Sequence, residues 1–413
     1  MFRDRWTWYL GVSSYWFAAS MKWLLVMLLL PGLVNTWVPS GEKNGAWGFI
    51  VALGAIEAVI GPSLWGALSD RVGRRIPFLL AGTLVTCVAF VIFPLANNVA
   101  TLAIGYVILQ VGDDIATGPY AALLPDLVPS EHRGRASGAM GVCQFSSQIV
   151  GGILVAVLGP RVEVLFGILI ALHLIFAVVV ARTVGKETAH PAKAPETKPS
   201  VRTWFRAFAA PKFRIVWAGR FLVSFGVAVV TTYGVNYLGD VVRVFSVGPI
   251  SVTEPSQAAA VVLLVISGMG IVGALLGGKW SDQVARWKIA SLATALMAVT
   301  IIPFGMVGMF AAIVGLAVGF GLGYGAYGSA DWALAADVLP DESALGKDLG
   351  IWQASIAIPQ LFLGTVGTMI DSVNRSSTAK VGYAYAFMIA AGGFVIAALL
   401  LRRLRRLELG KTG

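Results

Sequence analysis

The chain has 413 residues, of which 57% are hydrophobic and 13% charged, with a formal net charge of +10. A soluble domain carries about 25% charged residues, so the two or three soluble domains that length alone suggests are excluded. Apolar runs of about twenty residues recur throughout, enough for a helix to cross a hydrocarbon core of roughly 30 Å and too long for barrel strands of about ten residues.

Hydropathy and turn signals predict six helices at roughly 10–35, 46–68, 76–95, 98–121, 137–158 and 163–183. The first is longer than a signal-peptide core and has no small-x-small cleavage site after it, so it reads as a membrane helix. A stretch rich in Lys, Pro, Glu and Thr, "VGKETAHPAKAPETKPS", has little to bury and reads as a linker. Six more helices follow at roughly 213–238, 257–278, 289–308, 310–334, 348–369 and 381–401, then a short basic tail. The expected organisation is a six-helix bundle over 1–184, a linker over 185–211, a second bundle over 212–401 and a tail over 402–413.

Charge gives the orientation. One set of loops, with both ends and the linker, carries 24 Lys/Arg; the opposite loops carry five, Lys43, Arg161, Arg243, Arg375 and Lys380. By the positive-inside rule both termini lie in the cytoplasm of a multi-pass plasma (cytoplasmic) membrane protein. The same asymmetry accounts for the net charge without nucleic acid as a partner. Cys87 and Cys143 lie inside apolar runs and read as small buried hydrophobes; His132, His173 and His190 form no ligand spacing. No metal site and no cofactor are expected.

The chain repeats itself. At an offset of 212 residues "WGALSDRVGRRI" lies over "GGKWSDQVARWK", so that Gly66 meets Gly278, Asp70 meets Asp282 and Arg74 meets Arg286. The next loop repeats with one residue of slippage, pairing Asp126 with Asp337; at 212 again, Gln148 meets Gln360. The fold class is therefore an all-α polytopic membrane protein with twelve transmembrane helices in two six-helix pseudo-symmetric halves. Parallel repeats of this kind place a substrate site at their interface near the midplane.

"GALSDRVGRR" resembles the loop signature of the major facilitator superfamily, and its faded copy fits the same family. More narrowly, "GPYAALLPDLVP", "DWALAADVLPD" and "IAIPQLFLG" resemble plant sucrose transporters and the glycoside–pentoside–hexuronide:cation symporters. The loop itself has two open readings. Arg71, Arg74 and Arg75 suffice as a topogenic anchor. The superfamily resemblance implies a conformational latch instead, in which Asp70, with the Gly66 and Gly73 backbone, stabilises the outward-open state against the eleventh helix; Asp126, Asp282, Arg286 and Asp337 belong to the same gate set. A phosphate-loop pattern is absent.

Six charges lie inside predicted helices: Lys22, Glu57, Asp113, Asp114, Arg220 and Asp331. A charge in hydrocarbon is costly and marks a cavity or a partner. Helices 1, 4, 7 and 10, which line the cavity in the superfamily, carry five of them. Asp113 or Asp114 beside Lys22 is a candidate coupling pair for H⁺ or Na⁺, with a permanent Lys22–Asp bridge as the alternative; Glu57 is either part of the cation site or a packing residue. Arg220 and Asp331 lie nearer the cytoplasmic end, as gate or site. Sucrose transporters differ here: they carry the helix-4 Asp where this chain has Gln110, and Asn where it has the Asp pair.

Tyr106, Gln110, Asp113, Thr117 and Tyr120 recur at 4-3-4-3 spacing, one helical face. Tyr324 and Tyr327 share a face with Asp331, and Ser224 and Thr231 share one with Arg220. Flat aromatics with polar edges suit sugars, so Tyr15, Trp16, Trp23, Trp352, Gln144, Gln148, Gln353 and Gln360 complete the candidate cavity. The expected function is cation-coupled uptake of a sugar, glycoside or similar small polar solute by a monomer in the lipid bilayer. The alternatives are a proton-driven exporter of amphipathic compounds, a lipid transporter of the same fold, and a non-transporting sensor. No nucleophile–base constellation is present, so an enzyme is not expected.

Overall fold

The computed structural model describes residues 6–128, 132–185, 208–281, 283–338 and 345–405. In lipid every backbone N–H and C=O must be paired within the chain, so apolar runs become helices. The described residues contain twelve helical stretches long and apolar enough to cross a membrane. Their outer faces carry exposed Leu84, Leu95, Val157, Leu275 and Val299, the surface a lipid solvent requires.

The helices are α1 (Trp6–Ser13), α2 (Tyr15–Trp37), α3 (Lys43–Val72), α4 (Ile76–Leu95), α5 (Val99–Leu127), α6 (Arg133–Leu158) and α7 (Val162–Val184). After the linker come α8 (Pro211–Tyr237), α9 (Pro255–Ser281), α10 (Arg286–Phe304), α11 (Phe310–Val338), α12 (Leu345–Ala357), α13 (Leu363–Arg375) and α14 (Gly382–Arg402).

Four departures from the predicted elements have local causes. The first predicted helix is broken at Ser14, whose hydroxyl donates to Gly11 O at 2.9 Å, a side chain competing with the helix ladder. The seventh runs on through one π turn, Leu238–Val242, closed by Arg243 N–H to Leu238 O at 3.0 Å. A short antiparallel hairpin follows, β1 (Phe245–Val247) with β2 (Ile250–Val252), turning at Gly248 with φ +56°. The eleventh is interrupted by a 3₁₀ turn, Ile358–Phe362, because Pro359 has no N–H to give the α-ladder.

The chain forms two compact units, Met1–Val38 with Leu53–Glu196, and Pro39–Ala52 with Thr197–Gly413. Sequence assigned residues 39–52 to the first bundle. They pack with the second unit because Lys43, Asn44, Gly45 and Trp47 find their hydrogen-bond partners there.

In the first unit α4 lies along α5 and α7, and α2 packs on α6 and α7. The α4–α5 crossing is close because a Cβ on Gly82 would strike the backbone of Gly112 and Ala116. In the second unit α11 packs on α9 and α10, and α14 on α8 and α10. The run "GFGLGYGAYGS" in α11 serves close packing: Gly325 meets the Gly270 backbone, and Gly273 meets that of Leu322.

Candidate functional site

The first unit holds a buried knot of charge. Lys22 on α2 has no exposed side-chain surface and pairs with Asp113 Oδ1 on α5. Trp23 Nε1 donates to the other carboxylate oxygen at 3.2 Å, and the Lys22 ammonium sits 4.4 Å from the Trp23 ring centroid. Asp113 is thus held by a cation and an indole N–H at once. Asp114, one residue on, turns toward α3, where its carboxyl and that of Glu57 lie beside the same glycine, Gly61. Gly61 makes the room: a Cβ there would collide with both carboxyls. Glu57 Oε2 and Asp114 Oδ2 are buried, and neither has a hydrogen-bond partner among the described residues.

This arrangement separates two readings that sequence left joined. The Lys22–Asp113 bridge and the Glu57–Asp114 acid pair are neighbouring but distinct devices. Neither is duplicated: at the 212 offset Lys22, Glu57, Asp113 and Asp114 meet Gly234, Met269, Gly325 and Ala326.

Around the knot, Tyr106 and Gln110 are buried, with Gly54 leaving space for the Tyr106 ring. Thr117 is half-buried and donates to Asp113 O at 2.9 Å. Tyr15 and Tyr120, expected to line the cavity, are both buried and packed on each other. Their rings meet edge-on at 5.5 Å, Tyr120 donates to Val12 O at 2.5 Å, and the Tyr15 hydroxyl lies 3.0 Å from Thr83 Oγ1. Trp16 leans on Tyr120 at 5.3 Å. Gln148 donates to Ser20 O at 3.3 Å, and Gln144 is half-buried.

The second unit holds another buried ion pair. Arg220 Nη1 on α8 lies 3.3 Å from Asp331 Oδ2 on α11, and Tyr327 donates to Asp331 Oδ1 at 3.1 Å. Arg220 Nη2 donates to Gln353 at 3.0 Å, and the guanidinium lies 4.5 Å from the ring centroid of fully buried Trp352. Arg220, Asp331, Tyr327, Trp352 and Gln353, placed on three predicted helices, are therefore one cluster. Tyr324 is exposed one turn away, Ser224 and Thr231 are half-buried on α8, and Gln360 donates to Ile356 O within its own turn.

A third network was not anticipated. Lys43 pairs with Asp240 at 2.7 Å, and Tyr383 donates to the same carboxylate at 2.7 Å. Asn44 donates to Asp371 at 2.8 Å and accepts from Asn236 at 2.9 Å, while Gly45 N–H reaches Asp371 at 2.7 Å. Asp240 and Asp371 lie just outside the predicted helix ends at 238 and 369. The signal was there: Asp240 stands between Gly239 and Val241, and Asp371 directly follows the apolar pair Met369–Ile370.

The arginine loop is built on Arg75. It contacts Asp70 at 2.5 Å, Ser69 Oγ at 2.5 Å and Asp126 at 3.2 Å, tying the α3 end to the α5 end. Gly73 turns the chain with φ +72°, a conformation that favours glycine. Gly66 has open space around its Cβ position, so no close approach requires it there. Arg71 and Arg74 are exposed, and Arg286 is half-buried at the start of α10. In the second half Trp287 stands where the first has Arg75, so the same tie cannot form. Asp282 and the Asp337 side chain lie outside the described residues.

The family model of the Major Facilitator Superfamily matches residues 11–364. Among curated proteins, the class E tetracycline resistance protein of Escherichia coli is 33% identical over 32% of each chain. The class G protein of Vibrio anguillarum is 35% identical over 33% of this chain and 34% of its own. The match spans about one third of the length of these relatives. They correct the narrower resemblance to glycoside symporters and sucrose transporters, which these relatives do not support. Among solved structures, a bacterial homologue of the human lysosomal transporter Spinster, inward-facing and occupied, superposes with a TM-score of 0.75 at 15% identity over 96% of both chains. A peptide transporter in complex with sulfate gives 0.74 at 13% identity, over 96% of this chain and 94% of its own.

Proposed function

This chain belongs to the Major Facilitator Superfamily and is a secondary transporter of that kind, and from that footing we propose that it is a proton-driven exporter of amphipathic small molecules. The observation that carries the reading is the Glu57–Asp114 pair, two buried carboxyl oxygens with no hydrogen-bond partner among the described residues, beside a carboxylate already neutralised by Lys22. A single proton between two carboxyls supplies the missing hydrogen bond. A hard metal cation would want roughly six or more oxygen ligands, which favours H⁺ over Na⁺. With both acids of the pair ionised the knot carries two net negative charges in a dry site; one proton halves that. Loading and release of the proton are therefore tied to whether water reaches the site.

The direction of transport is supported by the tetracycline resistance relatives, since a membrane transporter protects a cell from a drug by moving it outward. Sugar uptake is not retained. The loop charge supports an orientation with both termini in the cytoplasm.

The test is drug extrusion by proteoliposomes under an imposed pH gradient. Glu57→Gln and Asp114→Asn are each expected to lose uphill transport while keeping substrate exchange. Undiminished proton-driven transport in both variants would overturn the acid-pair assignment. Drug accumulation on the side from which export should occur would overturn the direction.

A further inference from the structure

We propose that the seam between α10 and α14 binds an anionic phospholipid. Ser291 Oγ on α10 donates to Ala398 O on α14 at 2.9 Å and accepts from Arg402 Nε at 3.3 Å. These bonds fasten the start of α10 to the end of α14. Lys288, one turn before Ser291, and Arg402, one turn beyond Ala398, therefore stand on one rim, with Arg403 next in the chain. All three are exposed, and among the described residues none has a carboxylate within ion-pair distance. Below the rim the surface is apolar. Lys288, Leu292, Leu296 and Val299 follow at 4-4-3 spacing on one face of α10, and the three apolar residues are exposed. On α14 Arg403, Leu399 and Ile396 repeat the pattern at 4-3 spacing, again with both apolar residues exposed. Each helix thus presents a cation above an apolar stripe.

The partner that fits carries a negative head joined to apolar tails, which is the build of an anionic phospholipid. An acidic peptide would leave the stripes uncovered, and a choline head would bring a cation to cations. Basic groups between membrane helices hold lipid phosphates in this way. The bond to Ser291 engages Arg402 through Nε, and its two terminal amino groups are the ones that suit a phosphate as a planar pair. Lys288 adds a point charge on a long apolar stem that reaches the head-group level. The cluster is not part of the internal repeat: at the 212 offset Lys288, Arg402 and Arg403 meet Ile76, His190 and Pro191. A purely topogenic role needs charge only on the right side of the membrane, wherever it falls. The proposal is independent of the direction of transport.

The experiment is native mass spectrometry of the purified full chain in a neutral detergent, titrated with dioleoyl phosphatidylglycerol or dioleoyl phosphatidylcholine. One phosphatidylglycerol should bind ahead of the rest. At roughly fivefold per basic residue beside an anionic head group, Lys288→Gln with Arg402→Gln should weaken that first binding about twentyfold and leave phosphatidylcholine unchanged. Arg182→Gln with Arg214→Gln removes the same charge from exposed positions outside the seam, and screening should keep its effect within about twofold. Lys288→Arg, which keeps the charge, should bind as wild type does. Should the seam pair not fold, exposed Arg403→Gln alone should cost about fivefold, and no loss there overturns the proposal. Equal losses in the seam and control pairs reduce the cluster to general surface charge and overturn it. Equal binding of the two lipids to wild type does the same. Glycerol 3-phosphate, a head group without tails, should not displace the lipid; displacement at equal concentration would mark a free-phosphate site and refute the lipid assignment.

Discussion

Replacing Lys22 by Met tests whether the Lys22–Asp113 bridge is a structural device. Lys22 has no exposed side-chain surface and Asp113 keeps 9%, so the variant leaves a carboxylate in the unit interior with the Trp23 N–H at 3.2 Å as its recorded side-chain donor. Breaking one side of a buried pair costs about 3–5 kcal/mol, because the surviving charge keeps its desolvation penalty without its partner. Removing both charges, Lys22→Met with Asp113→Asn, should return most of that, since an asparagine still accepts from Trp23 and carries no charge. The expected coupling energy is about 2–3 kcal/mol, well above the roughly 0.6 kcal/mol averaged by neutral interhelical hydrogen bonds in membranes. The assay is a double-mutant cycle on the purified protein, read by denaturant titration with thermal unfolding in nanodiscs as a check. Additive single effects, or a Lys22→Met variant as stable as wild type, would refute the bridge.

Three further outcomes follow from the packing. Asn44→Ala removes the donor to Asp371 Oδ1 at 2.8 Å and the acceptor of the Asn236 amide at 2.9 Å; at about 0.5–1.5 kcal/mol for each hydrogen bond, and more for one to a charged group, the thermal midpoint should fall clearly, and an unchanged midpoint would count against the network. Gly325→Val forces a side chain into the Gly270 backbone, so a loss of at least about 1–3 kcal/mol should appear as poor yield of folded protein in size-exclusion profiles. Arg75→Gln releases Asp70 and Asp126, but at this solvent-accessible loop the expected cost is about 0–1 kcal/mol; a larger shift in denaturant midpoint would mean that the tie does more than hold the loop.

How far the sequence reaches is clearest at Asp113 and Asp114. Their rarity in an apolar run marked them, and the 4-3-4-3 stripe put Asp113 on one face. The stripe did not distinguish a residue facing a cavity from one packed on its own bundle, and Tyr120 on the same face turned inward to Val12. Periodicity fixes a direction around a helix axis but not what stands in that direction. Asp240 and Asp371 show the complementary failure. Predicted ends that fell a few residues short left them in loops, although a π turn and a 3₁₀ break carry the helical path onward to both.

Composition, the 212-residue offset and the distribution of Lys and Arg were enough for twelve spans in two halves, because hydrocarbon solvent leaves a chain so few ways to satisfy its backbone. Which acid answers Lys22, which acid lies beside Glu57, and which helices bring Arg220, Asp331 and Trp352 together depended on the tertiary structure. Those partnerships join helices far apart in the chain, set by how closely glycines such as Gly61 let them approach, and neither period nor hydropathy records that distance.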